Sequence, residues 1–264
     1  MKQAISWLTA VIVGVSCLPP ASAQKRDDKA KQKEAASLQQ QVDELKAGQQ
    51  QILKELQEIR KILQSFQEAA SPQPPSEIAL PVAGEPFKGS AAARVAIVEY
   101  SDFQCPYCGE YAREIFPRLD SDYIKSGKVR YYFRDLPVPS HTLALGAAQA
   151  ARCAGEQGKF WEMHDRLFAN QTTLAPPDLT RLAHESGLDE SKFSECLASG
   201  RYRDNIRRSM AGAERMGING TPAFLLGVLD PSGNSVRSTK IILGAESFET
   251  FKSALDELLA SPQK

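Results

Sequence analysis

VAIVEYSDFQCPYCGEYAREIF, residues 95–116, runs from an apolar stretch through two cysteines two residues apart and into a helical pattern. Val95 to Tyr100 is almost continuously apolar, which reads as a strand buried on both faces of a mixed or parallel sheet with helices packed over it. Cys105 falls where the exit loop of that strand turns into a helix over 109–124. A thiol in that place meets unpaired N–H groups and the positive end of the helix dipole, both of which lower its pKa. Cys108 lies one turn further in, behind Cys105. The spacing therefore predicts a redox pair, with Cys105 as the attacking nucleophile and Cys108 as the resolving thiol. Two other readings compete less well. A structural zinc site usually needs four ligands, yet no second CxxC is present and His141, His164 and His184 all lie in one later block. A purely structural bridge across two residues is a strained staple. Neither a metal nor a cofactor is expected.

Outward from the motif, a second strand is predicted at 129–136. Helical pieces follow at 143–155, 159–170, 177–187, 191–199 and 203–217, then strands around Thr221–Leu226 and Lys240–Leu243, and a closing helix from Glu246 to Leu259. This order is an α/β domain over 83–264 with a helical block inserted at about 138–212. Cys153 and Cys196 both fall in that block. A structural disulfide clamping the insertion is the preferred reading, with two buried free thiols or a second redox pair as alternatives. The three histidines read as surface or helix-packing residues, and Trp161 with Phe160 and Phe168 as core of the insertion.

The stretches VAIVEYSDFQCPYC (95–108), FRDLPVPSHTLALGAAQAARCAGEQGKFWEMHDRLF (133–168) and NGTPAFLLG (219–227) resemble the DsbA-like branch of exported thiol–disulfide oxidoreductases. The resemblance covers residues 83–260 and implies a thioredoxin fold. It implies a cis bond at Pro222, with Thr221 before it offering backbone groups to an extended substrate beside Cys105. It also implies a buried acid six positions before the first cysteine, which here is Glu99, able to shuttle a proton to or from Cys108. The motif interior, Pro106–Tyr107, departs from the Pro-His of strongly oxidising members, and Thr221 is more like the periplasmic isomerases. The implied activity is disulfide exchange with unfolded or misoxidised exported proteins, leaning to isomerase or reductase work and served by a separate redox partner. A dedicated disulfide-donating oxidase is the alternative. A non-enzymatic alternative is a coiled-coil scaffold that holds clients without turnover.

The N-terminal third carries different signals. Lys2, the apolar stretch Ile5–Leu18 and Ala21-Ser22-Ala23 resemble a signal peptide cut after residue 23, giving a periplasmic or secreted protein. Acylation at Cys17 is the rival, with a poor lipobox. Over 24–70, Leu38, Leu45, Ile52, Ile59 and Phe66 alternate with Val42, Gln49, Leu56 and Leu63 in steps of four and three. That is a heptad seam, and Leu at a with Ile at d points to self-association of residues 35–66 as a trimer or tetramer rather than a dimer. A single amphipathic helix lying on the domain is the alternative. Prolines then make 71–82 a linker. The chain has 32 Lys+Arg against 32 Asp+Glu, so net charge gives no argument for nucleic acid as a partner.

Overall fold

The computed structural model describes residues 21–70 and 78–261. Residues 1–20 of the expected signal segment (1–23) lie outside these residues, and so do 71–77 of the expected linker (71–82). The chain divides into two units, one ending at Ala70 and one beginning at Ser71.

The described part of the first unit is a single helix, α1 (Ala21–Ala70), unbroken because Gly48 is its only glycine and no proline interrupts it. The described apolar residues of the seam are exposed along it, with Leu38, Leu45, Ile52, Leu56 and Ile59 each more than half exposed.

The second unit is built on a six-stranded sheet in the order β1-β6-β5-β3-β4-β2. In chain order its elements are β1 (Ile78–Pro81), β2 (Phe87–Lys88), β3 (Val95–Ser101), α2 (Pro106–Glu110), a π-helical turn (Tyr111–Ile115), α3 (Phe116–Leu119), a second π-helical turn (Asp120–Ile124) and β4 (Val129–Asp135). The insertion supplies α4 (Ala144–Gly155), α5 (Phe160–Ala169), α6 (Pro176–Glu185), α7 (Glu190–Ser199) and α8 (Arg203–Arg215). Then come β5 (Ala223–Leu229), β6 (Ser235–Leu243) and α9 (Phe248–Ala260).

All seven residues of β3 are buried, as its apolar run requires. Parallel β4 lies on one side and antiparallel β5 on the other, so Glu99 faces Phe133 across one register and Phe224 across the other. The helical run after the motif widens where Pro117 sits. Proline donates no N–H and its ring crowds the carbonyl four residues back, and here Phe116 N–H reaches Tyr111 five residues away.

Two corrections concern strands. The expected linker reached residue 82, but Ile78–Pro81 is a strand paired with the start of β6, its Ile78 and Leu80 turned inward. Pro81 is tolerated because it closes an edge strand. Likewise β6 begins at Ser235 rather than Lys240, since Val236 and Ser238 already alternate inward. Near its middle β6 shifts register against β5 at Leu226/Gly227. A Cβ on Gly227 would lie 2.0 Å from the Arg237 carbonyl oxygen, so only glycine fits the irregularity.

Odd-numbered β3 residues Val95 and Ile97 pack under Tyr111, Phe116, Leu119 and the α9 residues Phe251 and Leu255. The even-numbered Ala96, Val98 and Tyr100 pack with Leu80, Leu225, Val236 and Ala213. A third cluster, with Ala147, Ala151, Met163, Leu167, Leu182 and Phe193, forms the core of the insertion and extends to Phe103, Cys105 and Cys108. Each fully buried Leu or Phe contributes roughly 1.5–3 kcal/mol. The motif is thus held between the sheet and the inserted helices.

Candidate active site

Cys105 is the N-cap of α2, with an extended backbone and Pro106 opening the helix. Proline at that position has no N–H to leave unpaired. Gly109 N–H closes the first turn onto the Cys105 carbonyl at 3.1 Å. The thiol is 4% exposed and Cys108 is fully buried. Both are free thiols. Cys105 Sγ donates to the Thr221 carbonyl at 3.3 Å, and the Thr221–Pro222 bond is cis. Tyr107, between the cysteines, is 64% exposed.

The electrostatics of the two thiols are opposed. Cys105 is lowered to about 5, first by hydrogen bonding from the Cys108 thiol, against the opposing effect of burial, and then by Thr221 and the Cys108 and Tyr107 N–H groups. Cys108 is pushed well up, by burial first and then by its bond to Cys105 and the charges of Cys105 and Glu99. From its place in the sequence alone, Cys105 is expected to owe its low pKa to the helix end. The neighbouring thiol is the larger influence on Cys105, ahead of the Cys108 and Tyr107 N–H groups.

Glu99 is buried below the pair, and burial raises it to about 7, with Tyr131 and Ser101 working against the rise and Cys105 adding to it. Its Oε2 accepts a hydrogen bond from the Tyr131 phenol, whose oxygen lies 3.1 Å from that of Tyr111. One phenolic hydrogen cannot serve both neighbours, so with Tyr131 donating to Glu99, Tyr111 donates to Tyr131. Burial pushes both phenols well up.

Several residues around the pair had no signal in the sequence. Asp102, just before the motif, uses both carboxylate oxygens. Oδ1 accepts from Gln104 N–H at 2.7 Å, and Oδ2 faces Val138 N–H and His141 Nδ1, each at 2.8 Å. His141 therefore ties the motif loop to the start of the insertion rather than simply packing a helix. Gln171 donates from Nε2 to the carbonyls of Phe103 and Cys105 at 3.0 and 2.8 Å. The amide lies so close over α2 that a Cβ on Gly109 would come within 1.8 Å of its Oε1. His164 is different: it is buried among Phe103, Phe133, Trp161 and Phe168, and burial lowers its pKa despite Asp165. Cys153 and Cys196, both buried, are joined by a disulfide with Cα atoms 5.8 Å apart. Among the described residues no group of three or more His, Cys, Asp or Glu could hold a metal ion.

A family model described as Thioredoxin matches residues 82–257. The chain belongs to the thioredoxin family. The match takes in β3, the CxxC, the insertion, the cis-proline and nearly all of α9, and leaves α1 outside. Over 140 residues, 53% of this chain, it is 44% identical to a protein named Na(+)/H(+) antiporter NhaA 3 of Salinispora tropica. That stretch is only 21% of the relative's length, so the chain spans about a fifth of it. Among the described residues no helix is long and apolar enough to cross a membrane. A protein of Bacillus anthracis named "Probable disulfide bond formation protein D" is 27% identical over 179 residues, covering 65% of this chain and 76% of its own. The crystal structure of oxidised BdbD from Bacillus subtilis superposes with a TM-score of 0.60 at 23% identity, over 69% of this chain and 97% of that one. The thioredoxin fold with a helical insertion is common to both.

The lowered Cys105 makes the stability of the dithiol form depend on pH. A thiol lowered from its ordinary 9.0 to about 5 adds stability that is fully present above the ordinary value and is lost as pH falls through 5. Glu99, raised to about 7 chiefly by burial, acts oppositely between its ordinary 4.5 and 7, and burial does not depend on the redox form. The excess stability of the dithiol form over the disulfide form is therefore expected to grow as pH rises from about 5 to 9. Urea midpoints of the two forms at several pH values check it; a pH-independent difference would mean that the Cys105 thiolate is not stabilised.

Proposed function

We propose that this chain is an exported thiol–disulfide oxidoreductase that exchanges disulfides with unfolded or misoxidised exported proteins, as an isomerase or reductase. The feature that carries the exchange reading is the asymmetry of the pair, Cys105 capping α2 and lowered to about 5, Cys108 fully buried behind it and pushed well up. The Cys105 thiolate attacks a client disulfide, forming a mixed disulfide and releasing one client thiolate. Cys108 then gives its proton to the Glu99 carboxylate, attacks Cys105 Sγ and releases the second client thiolate, leaving the Cys105–Cys108 disulfide. In isomerisation a client thiolate attacks the mixed disulfide first, and Cys105 leaves as it arrived. Thr221 and Pro222 form the substrate-facing loop, where the Thr221 carbonyl now occupied by the Cys105 thiol can accept from an extended client strand. Pro106 and Tyr107 set the environment of the pair. Export is supported by the buried Cys153–Cys196 disulfide, which suits an oxidising compartment.

A dedicated disulfide donor is the second reading, favoured by the same low Cys105 pKa, since a stabilised reduced form makes its disulfide a strong oxidant. Two client assays separate the directions. Catalytic amounts of the reduced protein are expected to reactivate a client carrying scrambled disulfides. Oxidation of a reduced client with no reactivation of a scrambled one would assign the donor role instead.

The exposed seam of α1 supports self-association as a trimer or tetramer, which would set several pairs around shared space and screen them from a reoxidising partner. Deleting residues 24–75 is expected to give a folded monomer by light scattering. A truncated protein that still associates would remove α1 as the cause.

A further inference from the structure

The face of β3 that carries Glu99 also carries Ser101. Alternation puts both on the side where Val95 and Ile97 meet Tyr111 and Phe116, so both face the helical run that begins at Cys105. Ser101 is fixed there, paired with Asp135 of β4 and accepting Leu136 N–H on its carbonyl at 2.7 Å. It is 1% exposed, and its hydroxyl lies close enough to act on both the Glu99 carboxyl and the Cys108 thiol without a fully formed hydrogen bond to either. Glu99 Oε1 is likewise buried without a fully formed bond. Two buried polar atoms on one face with no fully formed bond are unusual, since buried polar groups are nearly always paired.

The other Glu99 oxygen is committed. Tyr131 holds Oε2, and Tyr111 holds Tyr131. The groups acting on Glu99 are Tyr131, Ser101 and Cys105, with no cation among them. Cys108 in turn is acted on by Cys105, Glu99 and Ser101. From β5 the residue beside Glu99 is Phe224, which does not titrate. Ser101 is therefore the one hydroxyl that acts on both the resolving thiol and the acid. A hydroxyl can accept one proton while donating another.

Resting on the exchange reading above, we propose that Ser101 is a proton relay for the resolving step, its hydroxyl passing the Cys108 proton to Glu99 Oε1. As Cys108 turns on the mixed disulfide, its S–H proton moves to Ser101 Oγ while the original Ser101 proton moves to the Glu99 carboxylate. Ser101 ends as a neutral hydroxyl, Glu99 as a carboxylic acid and Cys108 as a thiolate. That thiolate attacks Cys105 Sγ, and the electron pair of the broken bond leaves on the client sulfur. The Tyr111–Tyr131 chain serves this by fixing Oε2, so that Oε1 is the oxygen turned to the relay.

The reduced protein mixed with 5,5′-dithiobis(2-nitrobenzoate) tests this directly. Attack by Cys105 releases a first nitrothiobenzoate, and resolution by Cys108 releases a second. Ser101→Ala is expected to leave the first release unchanged and to slow the second by about tenfold or more, towards the ~10²–10⁴ of a positioned general base. The rise of the second release with pH, set by Glu99 in the native protein, should move to higher pH, where Cys108 ionises unaided. Ser101→Thr keeps the hydroxyl and should restore both rate and profile, and Glu99→Gln should add little to Ser101→Ala because the two share one route. The proposal is overturned if Ser101→Ala resolves at the native rate and pH, if Ser101→Thr is as slow as alanine, or if the Glu99 and Ser101 effects simply multiply. Failure of the first release in the unmodified protein would instead sink the exchange reading itself.

Discussion

Cys108→Ala is expected to turn the protein into a trap, accumulating mixed disulfides between Cys105 and its clients with no second turnover. The attacking thiolate survives the substitution, while the group that releases the client is gone. Non-reducing gels after mixing with oxidised exported proteins should show adducts that disappear on reduction. Cys105→Ala should show none, and exchange should fall by more than ~10³-fold, the scale on which loss of a covalent nucleophile acts. Cys108 cannot take over, being fully buried and pushed well above the ordinary thiol range.

The trap carries a second signature. Hydrogen bonding from Cys108 is the largest influence lowering Cys105. Removing it should raise the pH at which Cys105 reacts with iodoacetamide, while the Thr221 side chain and the backbone N–H groups keep it below an unperturbed cysteine. An unchanged inflection in Cys108→Ala would mean that the helix end alone accounts for the thiolate, as the sequence argument had it. Loss of all adducts would mean that Cys105 is not the attacking sulfur.

What could be read beforehand follows the range of the interaction. The buried strand at 95–101 and the cysteine pair are local, because a strand buried on both faces must be apolar throughout and a CxxC at a helix start is written in neighbouring residues. Helices α4 to α9 carry a 3.6-residue pattern that survives without context. Ile78 and Leu80 alternate just as plainly, but prolines on either side made the segment read as linker. Ser101, Tyr131, Gln171 and His141 were beyond reach for another reason. Each joins the site through strand register or through a loop tens of residues away, and nothing in a serine beside an acid, or a glutamine in a polar loop, distinguishes it from its surroundings. Even the leading cause of the low Cys105 pKa depends on where the Cys108 hydrogen points, which spacing leaves open.

Removing the Cys153–Cys196 bond is expected to destabilise the domain by about 4 kcal/mol in the loop-entropy account, for a bridge that closes a sequence separation of 43 residues. The bond links α4 to α7 inside the cluster of Ala147, Ala151, Met163, Leu182 and Phe193, so the open chain gains freedom and the insertion core loses its tie. Urea denaturation of Cys153→Ala/Cys196→Ala against the native protein measures the loss, and a change within about 0.5 kcal/mol, the scatter of ordinary surface substitutions, would deny the bond a clamping role. The site should respond as well. Gln171, held just beyond α5, grips the Cys105 carbonyl, and His141 at the foot of α4 grips Asp102. Loosening the insertion therefore loosens both holds on the motif loop, and exchange should slow even at urea concentrations where the double variant remains folded. The two pairs must also stay chemically distinct within one molecule. Cys153 and Cys196 are each 1% exposed and Cys105 is 4% exposed, but Cys105, lowered to about 5, is by far the better leaving group on reduction. Mild reductant should therefore open the Cys105–Cys108 disulfide first and leave the clamp intact. Simultaneous reduction of both would mean that the low pKa of Cys105 does not set the order.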